Sequence, residues 1–389
     1  MILQSTRIRI LHVITALPIG GAEMMLLKLL SATHGKYVQA VVSGKDEGTI
    51  GPRIKELGVP VHTLGLHPVA PNPLCAFSIR SLVREFRPHV IQGWMPHGNL
   101  VASFAGISSR DRVPVLWNIR MSLSDTHEEP RLTRTVIRLG ALLSWHPKAI
   151  IYNSYYGAQQ HGALGYRASK QVVIPNGFDC QVFRPDEKAR RQVRTELGVS
   201  DDTILVGLVA RYHPMKDHAG FLQAAGSVAR SHPEAHFMLI GKGLTTEEPT
   251  LAKLIAEGQL KNRTSLLDER LDIAHLTAAL DIACSSSAWG EGFSNAIGEA
   301  MACGVPCVVT DVGDSAYAVA DTGFSVPPRE PQALAEAIGR LISVGETGRR
   351  RLGEAARQRV ESNFSLPAIA RKYEDLYRQH LDASSQPLV

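Results

Sequence analysis

The stretch Ser285–Asp314, SSSAWGEGFSNAIGEAMACGVPCVVTDVGD, gathers the residue types most suited to chemistry in this chain. Glu291 and Glu299 stand eight positions apart across a Gly292-Phe293-Ser294-Asn295 turn and a short helix-like run, and a buried-strand pattern follows at once. A turn opening into a helix offers free backbone N–H groups and the positive end of a helix dipole, which suits an anion such as a diphosphate. Carboxylates beside that site cannot serve to attract the anion. They are better used as acceptors for hydroxyls, of which a nucleotide sugar has many.

Arg211 and Lys216 follow the apolar run ILVGLVA in RYHPMKDH. Arginine grips phosphate oxygens in a fork, while lysine contributes a point charge. A solvated basic loop would explain the pair taken alone; an anion-binding helix start in the same half shifts the balance toward function. The chain has no Asp-x-Asp and no His/Asp/Glu cluster with convincing ligand spacing, so no metal is expected. A departing diphosphate would then lean on Arg211, Lys216 and backbone amides.

In the first half, Gly20 and Gly21 open GGAEMMLLKLL and allow close backbone approach to a ligand. They make a weak dinucleotide signal, as do Gly241 and Gly243 in LIGKGLTTE, so NAD is not expected. Trp94, His97 and Asn99, with Asn118 and Arg120, are expected to project from strand ends toward a cleft, and Trp94, His97, Asn99 and Arg120 are the acceptor candidates. His97 could take an acceptor proton or cap the following helix, and Trp94 could stack on a sugar or fill the core.

The elements that must position these residues alternate between short β-branched runs and helical stretches, the mark of parallel α/β sheets. Strands are expected near Ile8–Thr15, Gln39–Ser43, Val59–Leu64, Val90–Gly93, Val113–Ile119, Ile150–Asn153 and Val172–Pro175. The second half adds Ile204–Ala210, His236–Gly241, Thr264–Leu267, Ile282–Ser285, Cys307–Thr310 and Phe324–Val326. Between them IPNGFDCQVFRP punctuates the chain, and 389 residues suit two domains. Each half reads as a doubly wound unit, and ligands would bind in the cleft between two such units. The segment Leu366–Leu381 carries Ile369, Tyr373, Leu376 and Tyr377 at helical spacing and predicts a terminal helix followed by a loose polar tail.

Charge is uneven. Residues 1–175 hold 19 Lys and Arg against 9 Asp and Glu, and the remainder 23 against 28. The basic half suggests an anionic partner, a membrane surface or a phosphorylated acceptor; nothing resembles a nucleic-acid-binding motif. RLTRTVIRLGALLSW, residues 131–145, places Arg131, Arg134 and Arg138 on one side of a helix, with Val136, Leu139, Leu142 and Leu143 largely elsewhere. Such a helix can lie on an anionic membrane, but a surface helix packing its apolar stripe on its own sheet is the favoured reading. No apolar run reaches bilayer length, and Arg7 and Arg9 favour a first strand over a signal peptide. Five scattered cysteines read as core thiols in a reducing compartment, which fits the cytoplasm.

EGFSNAIGEAMACGVPCVVTDVG resembles the signature of the family 4 retaining glycosyltransferases of GT-B fold, bacterial surface-polysaccharide type. The resemblance extends to GGAE, NSYYGAQQHGALGY, VIPNGFDCQVFRP and VARYHPMKD. It implies an α/β chain of two Rossmann-like domains, residues 1–177 on the acceptor side and 178–364 on the donor side, with a helix and tail at 365–389 returning to the first. Arg211 and Lys216 would hold the donor diphosphate, Glu299 the ribose and Glu291 the transferred sugar. Amides around Gly292, Phe293, Ser294 and Asn295 would cover sugar and phosphates, and Gly21 would approach from the other side. A sugar would pass with retention from a UDP- or GDP-class donor to a glycan or polyprenyl-diphosphate-linked acceptor, at the inner membrane face, with no cofactor. Many members carry a His where Trp94 falls, which leaves His97 as a candidate substitute. Leu267–Arg270 also depart from the usual pattern near the base. A nucleotide-sugar epimerase and a non-catalytic nucleotide-sugar-binding partner remain the alternatives.

Overall fold

The computed structural model describes residues 7–66, 74–109, 112–123 and 131–382. The chain divides into two compact units, one of Met1–Gly177 with Leu366–Val389 and one of Phe178–Ser365.

The first unit begins β1 (Arg9–Ile14), α1 (Gly21–Ala32), β2 (Val38–Ser43), α2 (Ile50–Glu56), β3 (Val61–Thr63) and α3 (Leu74–Phe86). It continues with β4 (Val90–Trp94), α4 (Met95–Ile107), β5 (Val115–Ile119), α5 (Arg131–Leu143), β6 (Ala149–Tyr152), α6 (Tyr155–Ala163) and β7 (Gln171–Val173). The strands pair in parallel in the order β3-β2-β1-β4-β5-β6-β7. Prolines trim two of the expected strands. Pro60 and Pro114 lack a ladder N–H, so β3 and β5 start after them and not at Val59 and Val113. Leu26, Trp94 and Val41 pack on one face of the sheet, and Val13, Ile91, Trp117 and Tyr152 on the other.

The second unit runs α7 (Glu187–Leu197), β8 (Ile204–Val209), α8 (His218–Ser231), β9 (Ala235–Ile240), α9 (Pro249–Glu257), β10 (Thr264–Leu267) and α10 (Ile273–Ala278). Then come β11 (Ile282–Ser285), α11 (Asn295–Ala302), β12 (Cys307–Thr310), α12 (Ser315–Val319), β13 (Phe324–Val326), α13 (Pro331–Ser343) and α14 (Gly345–Asn363). Its parallel order is β10-β9-β8-β11-β12-β13. The expected strand ends at Ala210 and Gly241 fall outside β8 and β9. Gly241 turns away at φ 149°, and a Cβ there would sit 2.2 Å from the Ala210 carbonyl oxygen, so only glycine fits this close crossing.

The last helix, α15 (Leu366–Asp382), belongs to the first unit. Its Ile369, Tyr373, Leu376 and Tyr377 are buried in the same cluster as Trp94. Each such side chain contributes about 1.5–3 kcal/mol of burial, which is what holds this helix so far along the chain from its neighbours.

Candidate functional site

In both sheets the chain reverses its direction of winding once, between β1 and β4 and between β8 and β11. Loops leaving the carboxyl ends of such a strand pair splay apart and leave a crevice, the usual ligand site of an open α/β sheet. In the second unit, the loop after β8 carries Arg211 and Lys216, and the loop after β11 carries Glu291. Residues 75 positions apart are thereby brought into contact.

Lys216 Nζ forms an ion pair with Glu291 Oε1. The Ser287 hydroxyl donates to the same carboxylate oxygen at 2.6 Å. Ser286 Oγ donates to the Lys216 carbonyl at 2.7 Å, and Ala288 N to the Met215 carbonyl at 2.8 Å, so the two loops are stitched together through their backbones. Gly290 is left-handed at φ 79°, and a Cβ on it would meet Met215 Sδ at 2.4 Å. Arg211 is exposed beside this assembly.

The Gly292–Asn295 turn leads into α11 as the spacing predicts. Asp314 N donates to the Gly292 carbonyl at 2.8 Å, and Ser294 is the N-cap without a side-chain cap bond. Phe293 points inward against Phe178 and Phe364, so that residue offers a ligand only its backbone. Asn295 is exposed and Glu299 half-buried, one turn further along α11. Of the Leu267–Arg270 segment, Asp268 accepts from Gly243 N at 2.7 Å, while Arg270 is engaged with Asp272 and Glu196. His218, at the start of α8, is buried, and burial pushes its pKa down to about 4.

In the first unit, Gly20 caps α1 and Gly21 begins it, exposed. Glu23 folds back over this turn, its carboxylate where a Gly20 Cβ would be, and burial raises its pKa. The opposite crevice wall is the first turn of α4. A Cβ on Gly98 would lie 2.7 Å from the Val13 carbonyl oxygen, and Gly98 N donates to Thr15 Oγ1 at 3.2 Å. His97 is half-buried there, its pKa lowered by burial and by the charge of Lys45.

The structure places two acceptor candidates in the core of the first unit. Trp94 is fully buried, stacked on Tyr373 at 6.3 Å between centroids, with its Nε1 donating to His12 Nδ1 at 3.2 Å. Asn99 is also buried, and its side chain bridges to the backbone of Asn118 in both directions. Neither can stack on or bond a substrate without unpacking the core. Arg120 is largely withdrawn as well. It donates to Tyr373 Oη at 3.0 Å, to Asn118 Oδ1 at 3.3 Å and to Asn176 Oδ1, so its cation rests on neutral acceptors. Burial holds its pKa below the usual value.

Residues that pattern reading missed are Ser287, which orients Glu291, and Glu23 over the Gly20 turn. For Glu23 a signal existed: an acid three positions after a helix cap is the reaching half of a capping box. For Ser287 there was none beyond a run of three serines. Among the described residues, no group of three or more His, Cys, Asp or Glu is placed to hold a metal ion, and no helix is long and apolar enough to cross a membrane.

Two family profiles match, one in each unit: "Glycosyl transferase 4-like domain" over residues 20–177 and "Glycosyl transferases group 1" over 203–344. Among similar proteins, EpsF of Bacillus subtilis (strain 168) is 25% identical over 379 residues, covering 92% of this chain and 93% of that protein. The UDP-Gal:alpha-D-GlcNAc-diphosphoundecaprenol alpha-1,3-galactosyltransferase of Escherichia coli is 26% identical over 212 residues, 54% of each chain. Anabaena Alr3699/HepE, solved with UDP, superposes with a TM-score of 0.83 at 24% identity, covering 96% of this chain and all of that one; it has also been solved with UDP-glucose. With a 4-like domain in its first unit and a group 1 domain in its second, each on its own parallel sheet, this chain belongs to the family 4 glycosyltransferases of GT-B fold.

Proposed function

We propose that this chain is a retaining glycosyltransferase that moves a hexose from a UDP-class sugar to a glycan or polyprenyl-diphosphate-linked acceptor in bacterial polysaccharide assembly. The observation that carries the reading is the Lys216–Glu291 pair, held by Ser287 at the switch point of the second sheet beside Arg211 and the start of α11. Cation, hydroxyl acceptor and a helix N-terminus are thus presented together, the set a sugar diphosphate requires. UDP and UDP-glucose in the HepE structures, and the diphosphoundecaprenol acceptor of the Escherichia coli relative, support the donor and acceptor classes.

In this reading Arg211, Lys216 and the amides of Gly292–Asn295 stabilise the departing diphosphate without a metal, since fixed positive groups in a dry site supply what the leaving group needs. Glu291 orients the sugar hydroxyls and Glu299 the ribose. Attack comes from the face the diphosphate leaves, and a phosphate oxygen takes the acceptor proton. His97, kept neutral by burial and by Lys45, is the alternative proton acceptor in the first unit.

The test is calorimetry of UDP-, GDP- and ADP-sugars against the purified chain, then turnover with a lipid-linked acceptor in EDTA and NMR of the new anomeric centre. Retention with a UDP-sugar is expected. Inversion, dependence on added metal, or a rearranged donor formed without acceptor would each overturn the corresponding part.

A further inference from the structure

We infer that Arg329 is a positioning residue of the donor site: its guanidinium lies over the Trp289 indole, with Cζ 5.4 Å from the ring centroid, and so holds the loop that presents Glu291. The inference rests on the donor reading above and extends it to the loop after β13. Arg329 occupies its place against a backbone preference. Pro327 and Pro328 follow β13, Pro331 opens α13, and between them the chain turns at Arg329 with φ 61°. A turn that puts a positive φ after a proline ordinarily takes glycine or asparagine there. Arginine gains nothing for the turn itself, and strain of this kind persists where the side chain has a task.

Trp289 is the part of its loop with room to move. On either side of it, Ala288 and Gly290 are fastened to Met215. Deeper in the loop, Thr310 Oγ1 donates to the Ser287 carbonyl at 2.7 Å, and the Ser287 hydroxyl holds Glu291. The indole, by contrast, borders a cavity of about 300 Å³ between the starts of α8 and α13, lined also by Pro214, Asp217, Gln223 and Pro331. A ring facing open volume forgoes packing on that side, so the cation stacked on it is the contact that directs it. Two residues further along the chain stands Glu291.

No carboxylate competes for the arginine. Asp217, across the cavity, accepts from Gly220 N at 3.0 Å, and among the described residues Arg329 forms no ion pair. A planar guanidinium suits stacking on an indole better than an ammonium does. At an exposed site such a contact changes an equilibrium about two- to fivefold. Without it the loop spends correspondingly less time in the arrangement that presents Glu291, and donor affinity falls by the fraction of competent loop that is lost.

The experiment compares the full chain with Arg329→Gly, Arg329→Lys, Trp289→Ala and the Arg329→Gly, Trp289→Ala double variant. It uses calorimetry with UDP-glucose and hydrogen exchange over residues 285–292, with melting temperatures alongside. Glycine relieves the left-handed turn, so an arginine of merely structural use predicts an equal or higher melting temperature and unchanged donor binding in Arg329→Gly. Positioning predicts the melting temperature retained, the Kd for UDP-glucose raised about two- to fivefold, and faster exchange in the loop. Arg329→Lys should recover most of that loss, and in the double variant removal of the arginine should add nothing to removal of the tryptophan. Unchanged exchange or unchanged Kd in Arg329→Gly, or losses that simply add in the double variant, would overturn the proposal. A wild-type chain that binds no UDP-glucose counts instead against the donor reading, and exchange, which needs no ligand, then decides by itself whether Arg329 holds the loop.

Discussion

Glu291→Gln tests whether the ion pair of the second unit competes with the donor. The side chains of Lys216 and Glu291 are 20 and 9% exposed, so the pair is shielded but not sealed. At an effective dielectric of about 20, unit charges about 4 Å apart interact by roughly 4 kcal/mol. Residual solvent and the amide's own hydrogen bond to Lys216 reduce the change on neutralisation to about 1–2 kcal/mol. Two effects then act in one direction: Lys216 is released toward an incoming diphosphate, and a carboxylate that repels the diphosphate is gone. The bare nucleoside diphosphate should bind about tenfold more tightly to Glu291→Gln. Lys216→Ala should weaken it by ten- to a hundredfold, the range for a lost hydrogen bond to a charged group. In the double variant the gain from Glu291→Gln should shrink, because part of it passes through the lysine. Calorimetry on the four proteins, with melting temperatures alongside, measures all of this. If Glu291→Gln binds the nucleoside diphosphate more weakly while its melting temperature is retained, Glu291 is not a brake on the anion site and the reasoning fails.

Three further outcomes follow from the same geometry. Glu299→Ala should lose donor affinity with the fold intact, and normal affinity in that variant would remove its assignment to the ribose. Trp94→Ala should cost about 3–5 kcal/mol of stability, as expected for a fully buried tryptophan, and not merely raise the KM for acceptor; chemical denaturation separates the two. His161 is buried with its Nδ1 on the Gly157 carbonyl, and burial pushes its pKa down to about 4. The unfolded chain takes up this proton near 6.5, the ordinary value for histidine, so between those two values it binds more protons than the folded chain, and stability falls as pH falls. His161→Phe should therefore abolish roughly 2 kcal/mol of the stability lost between neutral pH and about pH 5, and an unchanged pH slope would show that the imidazole titrates freely.

What could be read in advance depended on how local its cause was. Strands showed as β-branched runs because a parallel sheet buries both faces, and errors fell where proline or a left-handed glycine cut a run short, as at Pro60, Pro114 and Gly241. Arg211, Lys216 and Glu291 were legible singly from their positions after strands. The Lys216–Glu291 contact was not, because it depends on β8 and β11 being neighbours, a fact of strand order that no local pattern records. The choice between Trp94's two roles was not legible for a related reason: the partner that closes over it, Tyr373, arrives from the far end of the chain. Helix α5 is the sharpest case. Its period was visible, but a period names a face without saying which way it turns. The direction was set by Tyr166, which needs a residue without a Cβ to reach the Ile137 carbonyl and finds it in Gly140. Gly140 thus fixes an inner face that leaves Leu132, Leu139 and Leu142 outside while Leu143 packs on the core, and Gly140→Leu, by pushing Tyr166 off the helix, should destabilise the first unit even though it makes the helix more apolar and a better helix former.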